Sequence, residues 1–193
     1  MKTFNRVNEK DLAYFSELAP GRVFSGEAIS TDYDHDEMTE YGHYMPEAVI
    51  QALSTEDVSA VLKYCNERNI AVTPRGSGTG LCGGCVAIHG GVVLSTEKMK
   101  RVLEVDRRNM TATVEPGVLL MEFPKALEGT GLFYPPDPGE KTAMANISGF
   151  MLQLTAKVSI IVFVFCPAKL TIRTTNPNIC LSGAFRNGHL RHR

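Results

Sequence analysis

The residue types and spacing that could do chemistry are concentrated in one stretch, Pro74-Arg75-Gly76-Ser77-Gly78-Thr79-Gly80-Leu81-Cys82-Gly83-Gly84. Five glycines occupy the nine positions from Gly76 to Gly84, directly after the apolar run Ile70-Ala71-Val72. Glycine lets the backbone turn through positive φ and lets main-chain N–H groups close on a ligand. Successive N–H groups in such a turn form a concave anion site without any side chain. The expected chemistry is therefore anion binding, with the loop cradling the pyrophosphate of a dinucleotide. A floppy surface loop would be richer in Ser, Asn and charge, and would not sit between apolar strands.

Glycine loops serve several ligand classes, and the flanking residues separate them. The phosphate loop of nucleotide hydrolases needs G-x-x-x-x-G-K-[ST]. No Lys follows any glycine of the stretch, so that class is excluded. The pattern G-x-G-x-x-G is present at Gly78, Gly80 and Gly83. It marks a Rossmann nicotinamide site only when the third glycine opens a helix facing the pyrophosphate. Here Gly84-Cys85-Val86-Ala87-Ile88-His89-Gly90-Gly91 follows, too short and glycine-rich for a helix.

Cys82-Gly83-Gly84-Cys85 has the spacing of a redox dithiol or half a zinc site. No helix N-terminus is expected there to lower a thiol pKa, and Cys166 and Cys180 supply no second C-x-x-C. The cysteines read as small side chains required beside the cofactor. His89 and the other lone histidines read as structural or surface residues. Residues 25–45 carry Asp32, Asp34, His35, Asp36, Glu37, His43 and Tyr44, all conceivable near a metal. Their spacing matches no defined site, so the expectation is a solvated acidic loop, with no metal site assigned.

The elements that must position the loop follow from periodicity. The chain has 193 residues, enough for one domain and part of a second, and 44% hydrophobic content predicts a packed core. A net charge of −1 gives no global attraction to nucleic acid or to an anionic membrane. Met1 to Val7 contain no long apolar segment, so no secretory signal is expected. Five cysteines, an odd number, do not form a disulfide framework, and a reducing cytoplasm is expected.

Asn8 or Asp11 caps a first helix carrying Leu12, Phe15 and Leu18, which Pro20-Gly21 stops. Ala48 to Leu53 reads as a strand. Ser54 then caps a helix with Val58, Val61, Leu62 and a core Cys65 on one face, ending at Asn69. Ile70 to Thr73 forms the strand that enters the loop, and Val92 to Ser95 the strand that leaves it. Val102-Leu103-Glu104-Val105 and Thr111-Ala112-Thr113-Val114 read as a hairpin. Leu119, Leu120, Phe123, Ala126 and Leu127 mark another amphipathic helix. In Leu132-Phe133-Tyr134-Pro135-Pro136-Asp137-Pro138-Gly139 three prolines in four residues fix an extended backbone, suited to a wall against a flat ligand.

This order of elements resembles the flavin-binding half of the FAD-linked oxidases, the vanillyl-alcohol-oxidase or PCMH-type superfamily. It is most similar to the branch of the glycolate oxidase large subunit and D-lactate dehydrogenase. The phrases that carry the resemblance are Pro46-Glu47-Ala48-Val49, Thr55-Glu56-Asp57-Val58, Pro74 to Gly80, Val114-Glu115-Pro116-Gly117-Val118 and Tyr134-Pro135-Pro136-Asp137-Pro138. They cover roughly residues 20–150, in the family's order. The resemblance implies an α+β fold of the PCMH type, truncated, with FAD between two small subdomains.

It also implies that the backbone of Gly76, Ser77, Gly78, Thr79, Gly80 and Leu81 wraps the pyrophosphate, that Pro74, Arg75 and Gly84 bind the cofactor with them, and that Pro136 and Asp137 lie beside the flavin. Thr79 stands where covalent members carry a flavin-linking histidine, so FAD is expected to be non-covalent. The family continues with a segment that closes over FAD; here Asn146, Ile147 and Ser148 survive, while the glycine pairs on either side are replaced.

From Phe150 onward the resemblance ends. Residues 1–150 hold all 21 acids against 14 Lys and Arg, whereas 151–193 hold six Lys and Arg and no acid. Val158 to Cys166 is a β-prone apolar run, shorter than the ~20 residues a membrane helix needs. The expected organisation is a lead-in over 1–45, a partial FAD-binding domain over 46–150, and an atypical basic tail over 151–193, foreign or frame-shifted on a truncated gene.

The expected function is the FAD-binding portion of an oxidoreductase acting on a small 2-hydroxy acid such as glycolate or D-lactate. Its substrate domain is missing, its activity is doubtful, and its catalytic residues are unassigned. Expected partners are FAD, the substrate in the full-length parent and an electron-transfer protein. The alternative is a non-catalytic fragment or interaction subunit of an oxidase complex, docking through the apolar tail.

Overall fold

The computed structural model describes residues 3–134 and the two-residue strand Val162–Phe163. The first helix, α1 (Glu9–Leu18), is closed at its start by a reciprocal cap. The Asn8 side chain accepts from the amides of Lys10 and Asp11, and the Asp11 carboxylate accepts from the Asn8 amide. Asn8 is thus the cap and Asp11 its partner. Asp11 is buried and also accepts from Tyr64 Oη at 2.8 Å and Arg68 Nε at 3.0 Å. Desolvation works to raise its pKa, but the bonds from Arg68, Asn8 and Tyr64 outweigh it and hold the carboxyl below its ordinary value.

A four-stranded sheet has the order β1-β2-β4-β3, from β1 (Val23–Ser25), β2 (Ala48–Gln51), β3 (Val72–Arg75) and β4 (Val92–Ser95). β1 is antiparallel to β2, while β2, β4 and β3 run parallel. The helix α2 (Thr55–Arg68) carries the chain from β2 to β3. Ser54 caps it through the Asp57 amide at 3.1 Å, and Asn69 ends it in the left-handed region at φ 52°. β1 lies in the polar lead-in and has no sequence signal of its own; its three residues owe their conformation to pairing with β2. β3 starts two residues later than the periodicity predicts and runs through Pro74. As an edge strand it tolerates a residue without an N–H.

The sheet is covered on both faces, by different means. Ala48, Ile50, Val92 and Leu94 join Phe15, Val61, Cys65 and Ile70 in one core, beneath α1 and α2. Val49 and Val93, on the other face, join Ile29 and Ala87, which belong to the lead-in and to the segment after the glycine stretch. Cys65 is a core residue as expected, and burial pushes its thiol up to about 12.

A second sheet places β6 (Thr111–Val114) between β5 (Val102–Asp106) and β7 (Val162–Phe163). β5 and β6 form the expected hairpin, and β7 adds in parallel, opposite Thr111 and Ala112. The expected helix over Leu119–Leu127 is confined to one turn, α3 (Phe123–Ala126). Pro124 has no N–H to give to a preceding turn and is tolerated only at a helix start. Glu115 and Gly117 tie the end of β6 to the segment linking β4 to β5. Glu115 accepts from the Arg101 amide at 2.7 Å and from its guanidinium, and the Gly117 amide donates to the Met99 carbonyl at 2.8 Å.

Asp57 receives Arg22 Nη1 at 2.8 Å and the Leu53 amide at 3.0 Å. Desolvation opposes these bonds, yet the carboxyl is held below its ordinary value, as in Asp11. A carboxyl lowered in the folded state contributes stability that is present above its unfolded pKa and is lost as pH falls through the folded one. Thermal unfolding followed by circular dichroism is therefore expected to show a melting temperature that declines below about pH 4. Asp57→Asn is expected to melt lower at neutral pH and to show a shallower acid decline.

Candidate functional site

Parallel neighbours such as β3 and β4 need a crossover connection, usually a helix. Here the crossover is residues 76–91, which contain no helix. The absence of a helix at Gly83 removes the Rossmann reading. Val86 and Ala87 are buried, and Ala87 anchors the second half of the crossover on the sheet. It ends at Gly91, at φ 70°, where a Cβ would collide with the Ala71 carbonyl oxygen. The Gly91 carbonyl accepts from the Glu47 and Ala48 amides.

The first half of the crossover rests on Arg75. Its side chain is only 7% exposed and is directed beneath the loop. Nη1 donates to the His35 carbonyl at 2.7 Å and contacts Cys85 Sγ at 3.3 Å, and Nη2 donates to the Asp32 carbonyl. The guanidinium also lies 5.3 Å from the centre of the Tyr33 ring. Tyr33 is fixed in turn by donating its hydroxyl to Glu97 at 2.9 Å. Among the described residues, Arg75 forms no salt bridge. A buried cation held by carbonyls and a ring favours an anion nearby, because the low-dielectric surroundings screen it poorly.

Gly78 sits on this guanidinium at φ 82°, and a Cβ there would overlap it. Among the described residues, the amides of Gly76, Gly78, Gly80 and Leu81 make no hydrogen bond. Gly78 is nonetheless buried. Buried amides are almost always paired, so the loop has donors to offer a ligand. Ser77 Oγ and Thr79 Oγ1 lie 3.3 Å apart within the same turn. The far end of the loop is fixed by Asp36, which is buried and accepts from the Gly83 amide at 2.7 Å and the Met38 amide at 2.9 Å.

The structure thus brings Pro74, Arg75, Gly76, Ser77, Gly78, Thr79, Gly80, Leu81 and Gly84 into one continuous feature. Pro74 and Arg75 supply the end of β3, and the others form the turn. Pro136, Asp137, Asn146 and Ile147 lie outside the described residues. Tyr33, Asp36 and the carbonyls of Asp32 and His35 support the loop without having been singled out as doing so; no local pattern links them to a loop 40 residues away. Cys85 is half-buried, and burial pushes its thiol up although Arg75 acts in the other direction. A redox dithiol needs the opposite shift.

Comparison with known proteins bears on the family and the fold. A family model described as an FAD binding domain matches residues 46–156. The D-lactate dehydrogenase of Anaerostipes hadrus is 48% identical over 140 residues, covering 72% of this chain and 30% of that protein. Glycolate oxidase subunit GlcD of Bacillus subtilis is 46% identical over 106 residues, covering 55% of this chain and 22% of its own length. The chain therefore spans less than a third of these relatives. Among solved structures, the 4-ethylphenol oxidase of Gulosibacter chungangensis is 28% identical with a TM-score of 0.55, over 67% of this chain and 27% of that one. The fold is shared with p-cresol methylhydroxylase, at a TM-score of 0.57 and 24% identity over 67% of this chain and 27% of that one. These are PCMH-type oxidases, and the α+β fold here is a fragment of theirs.

Gly78→Ala is expected to displace the Arg75 guanidinium and to lower the melting temperature more than Gly21→Ala. Gly21 also has positive φ, at 70°, but its added Cβ meets open space. Backbone strain alone costs about 1–2 kcal/mol, so the excess at Gly78 measures the clash with Arg75.

Proposed function

The chain belongs to the FAD binding domain family, and from that premise we propose that Gly76 to Leu81 hold the pyrophosphate of a non-covalently bound FAD. The observation that carries this reading is the set of uncommitted amides above a buried Arg75 that has no ion-pair partner among the described residues. The two features suit a doubly negative linker. The amides would donate to its oxygens, and the guanidinium, which gives two of its N–H groups to carbonyls, would supply positive potential from beneath. Ser77 and Thr79 add hydroxyls to the same turn. The Thr79 hydroxyl offers no imidazole nitrogen for a flavin linkage. Asp36 keeps the far end of the loop in place through the Gly83 amide.

Bound FAD would supply hydride-accepting redox chemistry, and the protein supplies binding and orientation. We assign the parent reaction to oxidation of a small 2-hydroxy acid. The support is that the relatives named above act on D-lactate and glycolate, both 2-hydroxy acids, and that a further relative at 35% identity is the D-2-hydroxyglutarate dehydrogenase of Danio rerio. The part of the reaction that falls to this chain is cofactor retention. Substrate recognition and delivery of electrons to a protein acceptor belong to the rest of such an enzyme. Cys65, Cys82 and Cys85 are free thiols, in keeping with a cytoplasmic setting. Among the described residues no helix is long and apolar enough to cross a membrane.

Titration of the whole chain with FAD, followed by flavin fluorescence, tests the reading. Saturable binding is expected, with Arg75→Gln weakening it about tenfold or more, equivalent to about 1.4 kcal/mol. Acid precipitation is expected to release all the flavin into the supernatant. Failure of the wild-type chain to bind FAD would overturn the loop assignment, and flavin retained in the precipitate would overturn non-covalent binding.

A further inference from the structure

The lead-in contains a cluster that the FAD site does not use. The Tyr44 amide donates to the Asp34 carbonyl at 2.7 Å, which closes residues 34–44 into a loop. His35 is fixed from the other side, because its carbonyl accepts from Arg75. Within this loop, His35 Nδ1 lies 2.6 Å and His43 Nδ1 2.9 Å from the same atom, Asp34 Oδ1. The two imidazole rings are 5.0 Å apart between centroids and tilted by 46°. One potential ligand atom from each of Asp34, His35 and His43 lies within 4.8 Å of the other two.

Two imidazole nitrogens and one carboxylate oxygen form a donor set that selects borderline divalent ions over calcium or magnesium, which prefer all-oxygen shells. Each neutral ring frees its Nδ1 lone pair when its proton resides on Nε2, so coordination requires a change of tautomer, while the Asp34 carboxylate supplies a negative charge to the ion. The Asp34 side chain is 16% exposed and that of His43 58%, so the ion would reach the site from solvent and keep water on its remaining positions. The backbone contacts at Asp34 and His35 hold two of the three ligands in place before any ion arrives.

We propose that Asp34, His35 and His43 bind a divalent transition-metal ion of the zinc, cobalt and nickel class. The ion cross-links the segment whose carbonyls at Asp32 and His35 hold Arg75. Its first effect is therefore to stiffen the lead-in. Its ligands are not groups of the FAD loop, and the site is tested without FAD.

The full chain, stripped with a chelator and reduced, is titrated with Co²⁺ and its d–d absorption followed; melting is then measured with and without Zn²⁺. One equivalent of Co²⁺ is expected to bind without a thiolate charge-transfer band, and Zn²⁺ is expected to raise the melting temperature. His43→Ala removes a largely exposed side chain and is expected to weaken binding about tenfold or more while abolishing the Zn²⁺ stabilisation, since even outer-shell losses cost this much. Cys82→Ser and Cys85→Ser, which remove the competing soft donors, are expected to change neither readout. The proposal is overturned if the wild-type chain binds no Co²⁺, if His43→Ala binds as the wild type does, or if the cysteine substitutions abolish binding with the histidines intact.

Discussion

A guanidinium buried beneath a glycine turn is the constraint on which the described structure converges. Arg75 ends an edge strand, and its side chain points into the space between the sheet and the lead-in. Two of its donors go to the carbonyls of Asp32 and His35, and its face lies near Tyr33. Those contacts require residues 32–35 to be brought within a few ångströms of β3. They also require Gly78 to have no side chain, since its Cα rests on the guanidinium. A charge in this position is costly unless something compensates it. Carbonyl dipoles and an aromatic ring offset part of the cost, and the anion proposed above the loop would offset the remainder. Fold and ligand preference are thus two aspects of one electrostatic arrangement.

The topology explains why a glycine loop occupies this place. β4 inserts between β2 and β3, so the chain must return the full length of β3 before entering β4. A helix normally makes that return and covers the sheet at the same time. Here the covering is shared between Ala87 of the crossover and Ile29 and Tyr33 of the lead-in. With no helix, the amides of the first half of the crossover have no obligatory partner. The same feature that leaves the segment irregular leaves its donors available to a ligand.

Much of this was legible from residue order. The cap at Ser54 and the stop at Asn69 define α2 because both act within one turn. Val92 to Ser95 reads as a strand because four residues of β-prone character are bounded by glycine and charge. The glycine stretch reads as an anion site for a similarly local reason, its freedom at positive φ. Other elements were illegible because their causes lie far away in the chain. β1 is three residues stabilised by pairing with β2. The helix expected over Leu119–Leu127 shortens to one turn because its apolar residues are drawn into a core with Val114 and Val118, and Pro124 limits where helical bonding begins. Asp36, Tyr33 and His35 carry no motif that points to Gly83 or Arg75.

The sequence by itself determined where the chain can turn, which residues seek the interior and which stretch has a backbone able to accept an anion. Those are properties of single residues and their near neighbours, and they survive without knowledge of the fold. Only the tertiary structure decided which distant groups meet: an arginine held by carbonyls from 40 residues upstream, a carboxylate securing the Gly83 amide, and two histidines turned to one aspartate. Contacts between distant segments depend on how the sheet and crossover stack, and no local propensity encodes that stacking.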